Sequence, residues 1–222
     1  MKSLLAELKK RKLLVSDGAW GTFLQRKGLK IGECPEIWNI QHPDMVFEIA
    51  KSYIDAGADM IETNSFGGNR FKLMHYDLAN MVNEINKKAA EISRSAANEK
   101  FVLGSIGPTG KILLTNEVRY EELYDAFKEQ AIALEEGGAD VIIIETMSDI
   151  EEAKCAIKAA IENTKCEVAC TMTFEKADEN NFYTMMGISP EYMVEELSNS
   201  GITFIGANCG NGSYEMIEIV KK

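Results

Sequence analysis

The sequence of 222 residues is poor in the residue types on which several protein classes depend. It has four prolines and two histidines, and its five cysteines include no Cys-Cys or Cys-x-x-Cys pair. Neither His42 nor His75 lies at the end of an apolar run. Hydrolytic triads and histidine-based zinc sites therefore receive little support.

Positive charge is also scarce, with 24 lysines and arginines against 35 acidic residues and a net charge of −11. We expect no nucleic-acid partner and no membrane partner, because there is no basic stripe to offset phosphates. No apolar run approaches the ~18 residues of a spanning helix. The first twelve residues are too interrupted by charge to form a signal peptide, so we expect a cytoplasmic protein.

The cysteines are odd in number and widely spaced, which suits a reducing compartment better than a disulfide framework. They are Cys34, Cys155, Cys166, Cys170 and Cys209. We expect most of them to be small buried hydrophobic residues. Cys209 differs, because it follows an apolar run at the start of a polar loop.

One unit recurs along the chain: a short apolar run, a polar loop and a segment of helical length. The runs are Lys12–Asp17, Asp59–Ser65, Phe101–Ile106, Asp140–Thr146, Glu167–Phe174 and Thr203–Cys209. Their spacing of roughly 30–45 residues is typical of βα units. Helices are predicted at Pro43–Ala56, Asn80–Asn98, Tyr120–Glu136 and Asp149–Asn163, and from Ser189 and Ser213 onward.

An internal repeat supports a parallel α/β fold. Ala56-Gly-Ala-Asp-Met-Ile-Glu62 recurs as Gly137-Gly-Ala-Asp-Val-Ile-Ile143, and in each copy a helix-ending glycine leads into a strand. Polar or glycine-containing loops follow every run, whereas a doubly wound nucleotide-binding fold has its glycine-rich sequence in one turn. We therefore predict a (β/α)8 TIM-type barrel truncated to about six βα units. We expect residues 1–222 to form a single barrel domain that is incomplete at its C-terminus.

Two carboxylates at predicted strand ends are candidate ligand-binding groups. Asp17 is followed by Gly18, so this loop can offer a carboxylate to an ammonium and backbone amides to a carboxylate. The alternative is a helix cap and tight turn. Glu145 follows the apolar run Val141–Ile144 and needs a cationic partner if it is buried. The alternative for Glu145 is a salt bridge to Lys154 or a neighbouring lysine.

Asn208 and Cys209 lie where the last predicted strand opens into its loop, the end at which barrels carry their chemistry. A thiolate there is a candidate zinc ligand, and zinc can activate a sulfur substrate. A single cysteine cannot fill a tetrahedral site.

Five motifs in order carry a family resemblance. They are Val15-Ser-Asp-Gly-Ala-Trp-Gly-Thr22, Ile61-Glu-Thr-Asn-Ser-Phe-Gly67, Gly104-Ser-Ile-Gly-Pro-Thr-Gly110, Ile144-Glu-Thr-Met-Ser-Asp149 and Gly206-Ala-Asn-Cys-Gly210. The chain resembles the homocysteine S-methyltransferase family. It is especially similar to the homocysteine-binding modules of cobalamin-dependent methionine synthases.

The resemblance implies a barrel enzyme that holds zinc through three cysteines. Cys209 matches one metal ligand; the other two belong to a Gly-Gly-Cys-Cys-Gly motif that this sequence lacks. Asp17, Gly18, Glu145 and Asn208 are implied to bind the amino-acid end of homocysteine, and no residue is assigned a catalytic role. The zinc-bound thiolate would accept a methyl group from a corrinoid domain or protein, or from another donor, and form methionine.

Two alternatives remain at the level of the sequence. One is a corrinoid-dependent methyltransferase with another acceptor or donor. The other is a catalytically dead amino-acid-binding or assembly subunit without zinc. Because the second zinc motif is absent, we expect a fragment of a longer protein, or a second chain that completes the site.

Overall fold

The computed structural model describes residues 2–178 and 181–222. Its α-helices are α1 (Leu4–Arg11), α2 (Gly21–Arg26), α3 (Trp38–Gln41), α4 (Pro43–Asp55), α5 (Arg70–Met74), α6 (Val82–Ala97), α7 (Tyr120–Glu136), α8 (Ile150–Asn163), α9 (Pro190–Leu197) and α10 (Ser213–Lys221). Its strands are β1 (Met60–Glu62), β2 (Phe101–Ile106), β3 (Val141–Met147), β4 (Glu167–Met172), β5 (Glu175–Lys176), β6 (Phe182–Tyr183) and β7 (Phe204–Ala207). Short 3-10 turns cover Ala79–Met81 and Leu113–Thr115.

The main sheet is parallel and wound in one direction, in the order β1-β2-β3-β4-β7. A doubly wound sheet would reverse its strand order part-way across. Sequential order with helical crossovers between neighbours is the winding of a barrel. The structure thus has the predicted barrel-type α/β fold, with five strands in the main sheet of the part of the chain described.

Strand side chains alternate between two apolar layers. Ile142 and Ile144 of β3 pack with the helices in the larger core, whereas Val141 and Ile143 face the other side of the sheet. That inner layer is closed at the amino ends of the strands by α1, whose Leu4 is buried in it. The side chain of Glu167 at the start of β4 accepts hydrogen bonds from Ser3 Oγ at 2.5 Å and from Leu5 N at 3.1 Å.

The predicted strand at Lys12–Asp17 is wrong, because this segment forms no strand ladder. The Val15 carbonyl accepts from Asp59 N at 2.7 Å, next to the edge strand β1. The Val15 amide donates instead to the Asp59 side chain at 3.0 Å. A side-chain acceptor has replaced the backbone acceptor that a ladder would need.

The six predicted helices are present, with ends shifted by one or two residues. Asp149 and Ser189 cap α8 and α9 through their side chains. The predictions missed α1, α2, α3 and α5, and the β5–β6 hairpin. Within the described residues, no helix has the length and apolar character needed to cross a membrane.

Candidate functional site

A cavity of about 500 Å³ opens at the carboxyl ends of the strands. All five residues predicted to bind substrate or metal line it, namely Asp17, Gly18, Glu145, Asn208 and Cys209. A larger groove of about 630 Å³ lies beside α1. Its charged side chains pair with one another, as in Arg11 with Asp59 and Lys2 with Glu99. We therefore assign the site to the smaller cavity.

Asp17 is held by three donors. Trp20 Nε1 and the Glu62 amide donate to its Oδ2 at 2.8 and 3.1 Å, and Ser16 Oγ donates to its Oδ1 at 2.9 Å. Burial raises the pKa of Asp17 in spite of these bonds. Gly18 lines the cavity next to Asp17 and has no side chain to fill it.

Glu145 is 8% exposed and lies at the carboxyl end of β3. Ser105 Oγ donates to its Oε1, and Asn208 Nδ2 donates to its Oε2 at 3.2 Å. Burial is the main cause that raises the pKa of Glu145, and the negative charge of Asp17 adds to it. The alternative salt bridge to Lys154 is wrong, because that lysine pairs with Glu151 and Glu196.

Glu62 and Glu36 also line the cavity, and sequence reasoning gave neither carboxylate a role. Glu36 accepts a hydrogen bond from the Gly67 amide at 2.7 Å, whereas Glu62 lies beside Asp17 and Glu145. It is half-buried at the end of β1. Burial, then the charges of Glu145 and Asp17, raise its pKa well above the ordinary value. Glu62 could have been identified from the sequence, because it follows an apolar run in the same way as Glu145.

Asp17, Glu62 and Glu145 have no cationic neighbour among the cavity's lining residues, which include no lysine, arginine or histidine in the described chain. Carboxylates that are buried together without a counter-ion favour a cationic ligand, because each raises the cost of ionising the others. The arrangement is chemically suited to an ammonium group.

Asn208 connects this acidic region with Cys209. Its Oδ1 accepts from Thr171 Oγ1 at 3.0 Å and from Thr146 N at 3.2 Å. Its Nδ2 donates to Thr146 Oγ1 at 2.8 Å and lies 3.6 Å from Cys209 Sγ. The amide therefore joins the ends of three neighbouring strands, β3, β4 and β7.

Cys209 is exposed, whereas the other four cysteines are buried. Burial raises the pKa of each buried thiol to about 12, so they are poor sources of thiolate. No group of three or more histidine, cysteine or acidic side chains in the described residues is arranged to hold a metal ion. The donor set at Cys209 thus does not fit a complete tetrahedral zinc site.

Comparison with known proteins shows the family of the chain. The family model for homocysteine S-methyltransferase matches residues 14–222. The methionine synthases of Mycobacterium tuberculosis and Mycobacterium leprae are each 31% identical over 228 aligned residues, which cover 96% of this chain. The chain spans 19% of the length of these two relatives.

Solved structures give the same fold. The metallated form of the Escherichia coli homocysteine methyltransferase MmuM superposes with a TM-score of 0.82 at 20% identity, covering 97% of this chain and 81% of that one. The apo form of the same protein gives a TM-score of 0.75. The family match over nearly the whole sequence confirms the resemblance carried by the five motifs, and the chain belongs to the homocysteine S-methyltransferase family.

Proposed function

We propose that this chain binds homocysteine by its amino-acid end and directs the sulfur towards Cys209, as the homocysteine-binding module of a methyltransferase that forms methionine. The observation that carries the proposal is the cavity itself. Among the described residues its lining has four carboxylates and no cation, and Asn208 connects one of them, Glu145, to the exposed Cys209. Family membership supplies the substrate class.

The carboxylates and the backbone have separate roles in this proposal. Asp17, Glu62 and Glu145 receive the ammonium group, which offsets their mutual repulsion. The backbone around Gly18 receives the substrate carboxylate, because a wall without side chains lets amides approach a ligand. Asn208 keeps Glu145 at a fixed position relative to Cys209.

Zinc and the methyl donor belong to a larger assembly in this proposal. The family resemblance implies three cysteine ligands, and this chain supplies Cys209 alone. The second cysteine motif and a corrinoid domain or protein would come from residues outside this sequence. Residues 1–222 then act as one barrel module, and we derive no chemical step at the metal from them.

A second candidate is an amino-acid-binding subunit that has no zinc. The lone exposed thiol at the cavity favours it. Zinc content separates the two candidates when the chain is purified together with its natural neighbouring domains. One tightly held zinc per site supports the methyltransferase, and its absence supports the binding subunit.

Calorimetry with two ligands tests the proposal. We expect homocysteine to bind under reducing conditions, and 4-mercaptobutyrate, which keeps the thiol and carboxylate but lacks the amino group, to bind much more weakly. Equal affinity for the two would show that the carboxylates do not receive an ammonium, and the proposal would fail.

A further inference from the structure

The end of β3 contains a β-bulge at the cavity. Ile144 pairs with Cys170 and Met147 pairs with Met172, so β3 advances by three residues while β4 advances by two. The bulge includes Thr146, whose φ of 61° lies in the left-handed region. A β-branched residue is an outlier there and needs its surroundings to hold it.

The bulge changes which side chains reach the site. Regular alternation along β3 sends Ile144 towards the helices and Glu145 inward, and it would send the next residue back to the helices. Met147 instead packs with Ile144 in the helix-facing core. The extra residue is Thr146, and both Glu145 and Thr146 therefore line the cavity.

Thr146 uses this position to bind Asn208 on both sides of its amide. Its backbone N–H donates to Asn208 Oδ1 at 3.2 Å, and its hydroxyl accepts from Asn208 Nδ2 at 2.8 Å. The same Nδ2 reaches Glu145 at 3.2 Å and Cys209 at 3.6 Å. The orientation of Asn208 relative to both groups therefore depends on Thr146.

We propose that Thr146 is a positioning residue: its left-handed bulge and its hydroxyl orient Asn208, and through it set the spacing between Glu145 and Cys209. The role in binding rests on the proposed function, since it concerns how that cavity holds homocysteine. Thr146 itself need not contact the substrate.

Two substitutions separate the hydroxyl from the shape of the side chain. Thr146→Val keeps the branched shape and removes the hydroxyl, whereas Thr146→Ser keeps the hydroxyl. By calorimetry we expect Thr146→Val to weaken homocysteine binding by roughly tenfold, the effect of one hydrogen bond, and Thr146→Ser to stay within about twofold. Thr164→Val is the matched control: it removes a threonine hydroxyl that bonds Ala160 O at the end of α8, and we expect no change in affinity.

A second measurement needs no substrate. The side-chain amide of Asn208 is observed by NMR and identified by its loss in Asn208→Asp. We expect its resonances to move towards the free-amide position in Thr146→Val and to stay in place in Thr146→Ser and Thr164→Val. Unchanged Asn208 resonances in Thr146→Val overturn the proposal.

The two measurements also distinguish the two proposals. Homocysteine that fails to bind the unmodified protein refutes the proposed function, while the amide resonances still decide the role of Thr146. If homocysteine binds equally well to the unmodified protein and to Thr146→Val, the positioning role is refuted and the proposed function stands.

Discussion

Replacing Glu145 by glutamine removes one charge from the cavity and leaves the size of the side chain unchanged. In the unmodified protein the Glu145 carboxylate receives one bond from Ser105 and one from Asn208. A carboxylate has about four acceptor positions, so it retains capacity for a substrate ammonium. Glutamine can still accept from one of the two neighbours, but it cannot offer an anionic oxygen to the ligand.

The expected loss follows from what remains in the cavity. One charge-assisted hydrogen bond contributes about 1.5–3 kcal/mol. Asp17 and Glu62 line the same cavity and remain as acceptors for the ammonium, so the loss belongs in the lower part of that range, about 1.5–2 kcal/mol. With 1.4 kcal/mol per factor of ten, homocysteine should bind about ten- to thirtyfold more weakly to Glu145→Gln.

Calorimetry with homocysteine, with metal analysis of the same samples, measures this difference in the chain purified together with its natural neighbouring domains. Glu152→Gln is the matched control, because Glu152 is a buried carboxylate that accepts from the amide and hydroxyl of Thr109 away from the cavity. We expect the control to lose stability and to keep its affinity. Unchanged affinity in Glu145→Gln would refute the assignment, and a simultaneous loss of metal would mean that Glu145 acts at the metal.

Three further results are expected. Burial and two neighbouring carboxylates raise the pKa of Glu62 well above its ordinary value of 4.5. Between these two pKa values the folded state keeps a proton that the unfolded state releases, so stability from this group is lost as pH rises through the folded-state pKa. Glu62→Gln should therefore increase the free energy of unfolding in urea at about pH 8 and reduce its dependence on pH; an equal or lower value at that pH would contradict the reasoning. Gly68→Ala should lower the free energy of unfolding by about 1–3 kcal/mol, because the added Cβ would lie 2.3 Å from Asn86 Oδ1. Gly21→Ala is the control and should cause no such loss, because its Cβ meets no atom within 4 Å. Equal melting temperatures for the two variants would argue against a tight contact at Gly68. This chain alone should hold less than one tightly bound zinc after chelator washing, as measured by metal analysis; stoichiometric zinc that disappears in Cys209→Ala would show that other groups complete the site.

Apolar runs and glycine turns were enough to predict most of the fold. The runs at Phe101–Ile106 and Asp140–Thr146 became β2 and β3, because buried parallel strands need continuous apolar sequence. The run at Lys12–Asp17 has similar composition and is not a strand. Composition does not reveal that the Asp59 side chain takes the place of a backbone acceptor there.

The candidate site was predictable at positions where a charged or reactive side chain directly follows an apolar strand, because few structural roles explain such a residue there. Glu145 and Cys209 met that condition, and both line the cavity. The role of Thr146 was not predictable, because it depends on a one-residue change of register between β3 and β4. Registers are set by pairing between strands that are distant in sequence, and a single strand's pattern does not contain them.

The contact between α1 and Glu167 has a consequence for the order of folding. Ser3 and Leu5 bind a side chain that lies 164 and 162 residues later in the chain. At a synthesis rate of about 5–20 residues per second, α1 is synthesised roughly 8–33 s before its partner. A helix of eight residues is marginal in water without such a partner. Helix α1 is thus fixed in place only after β4 has been made, and protection of the Leu5 amide from hydrogen exchange reports that β4 has joined the fold.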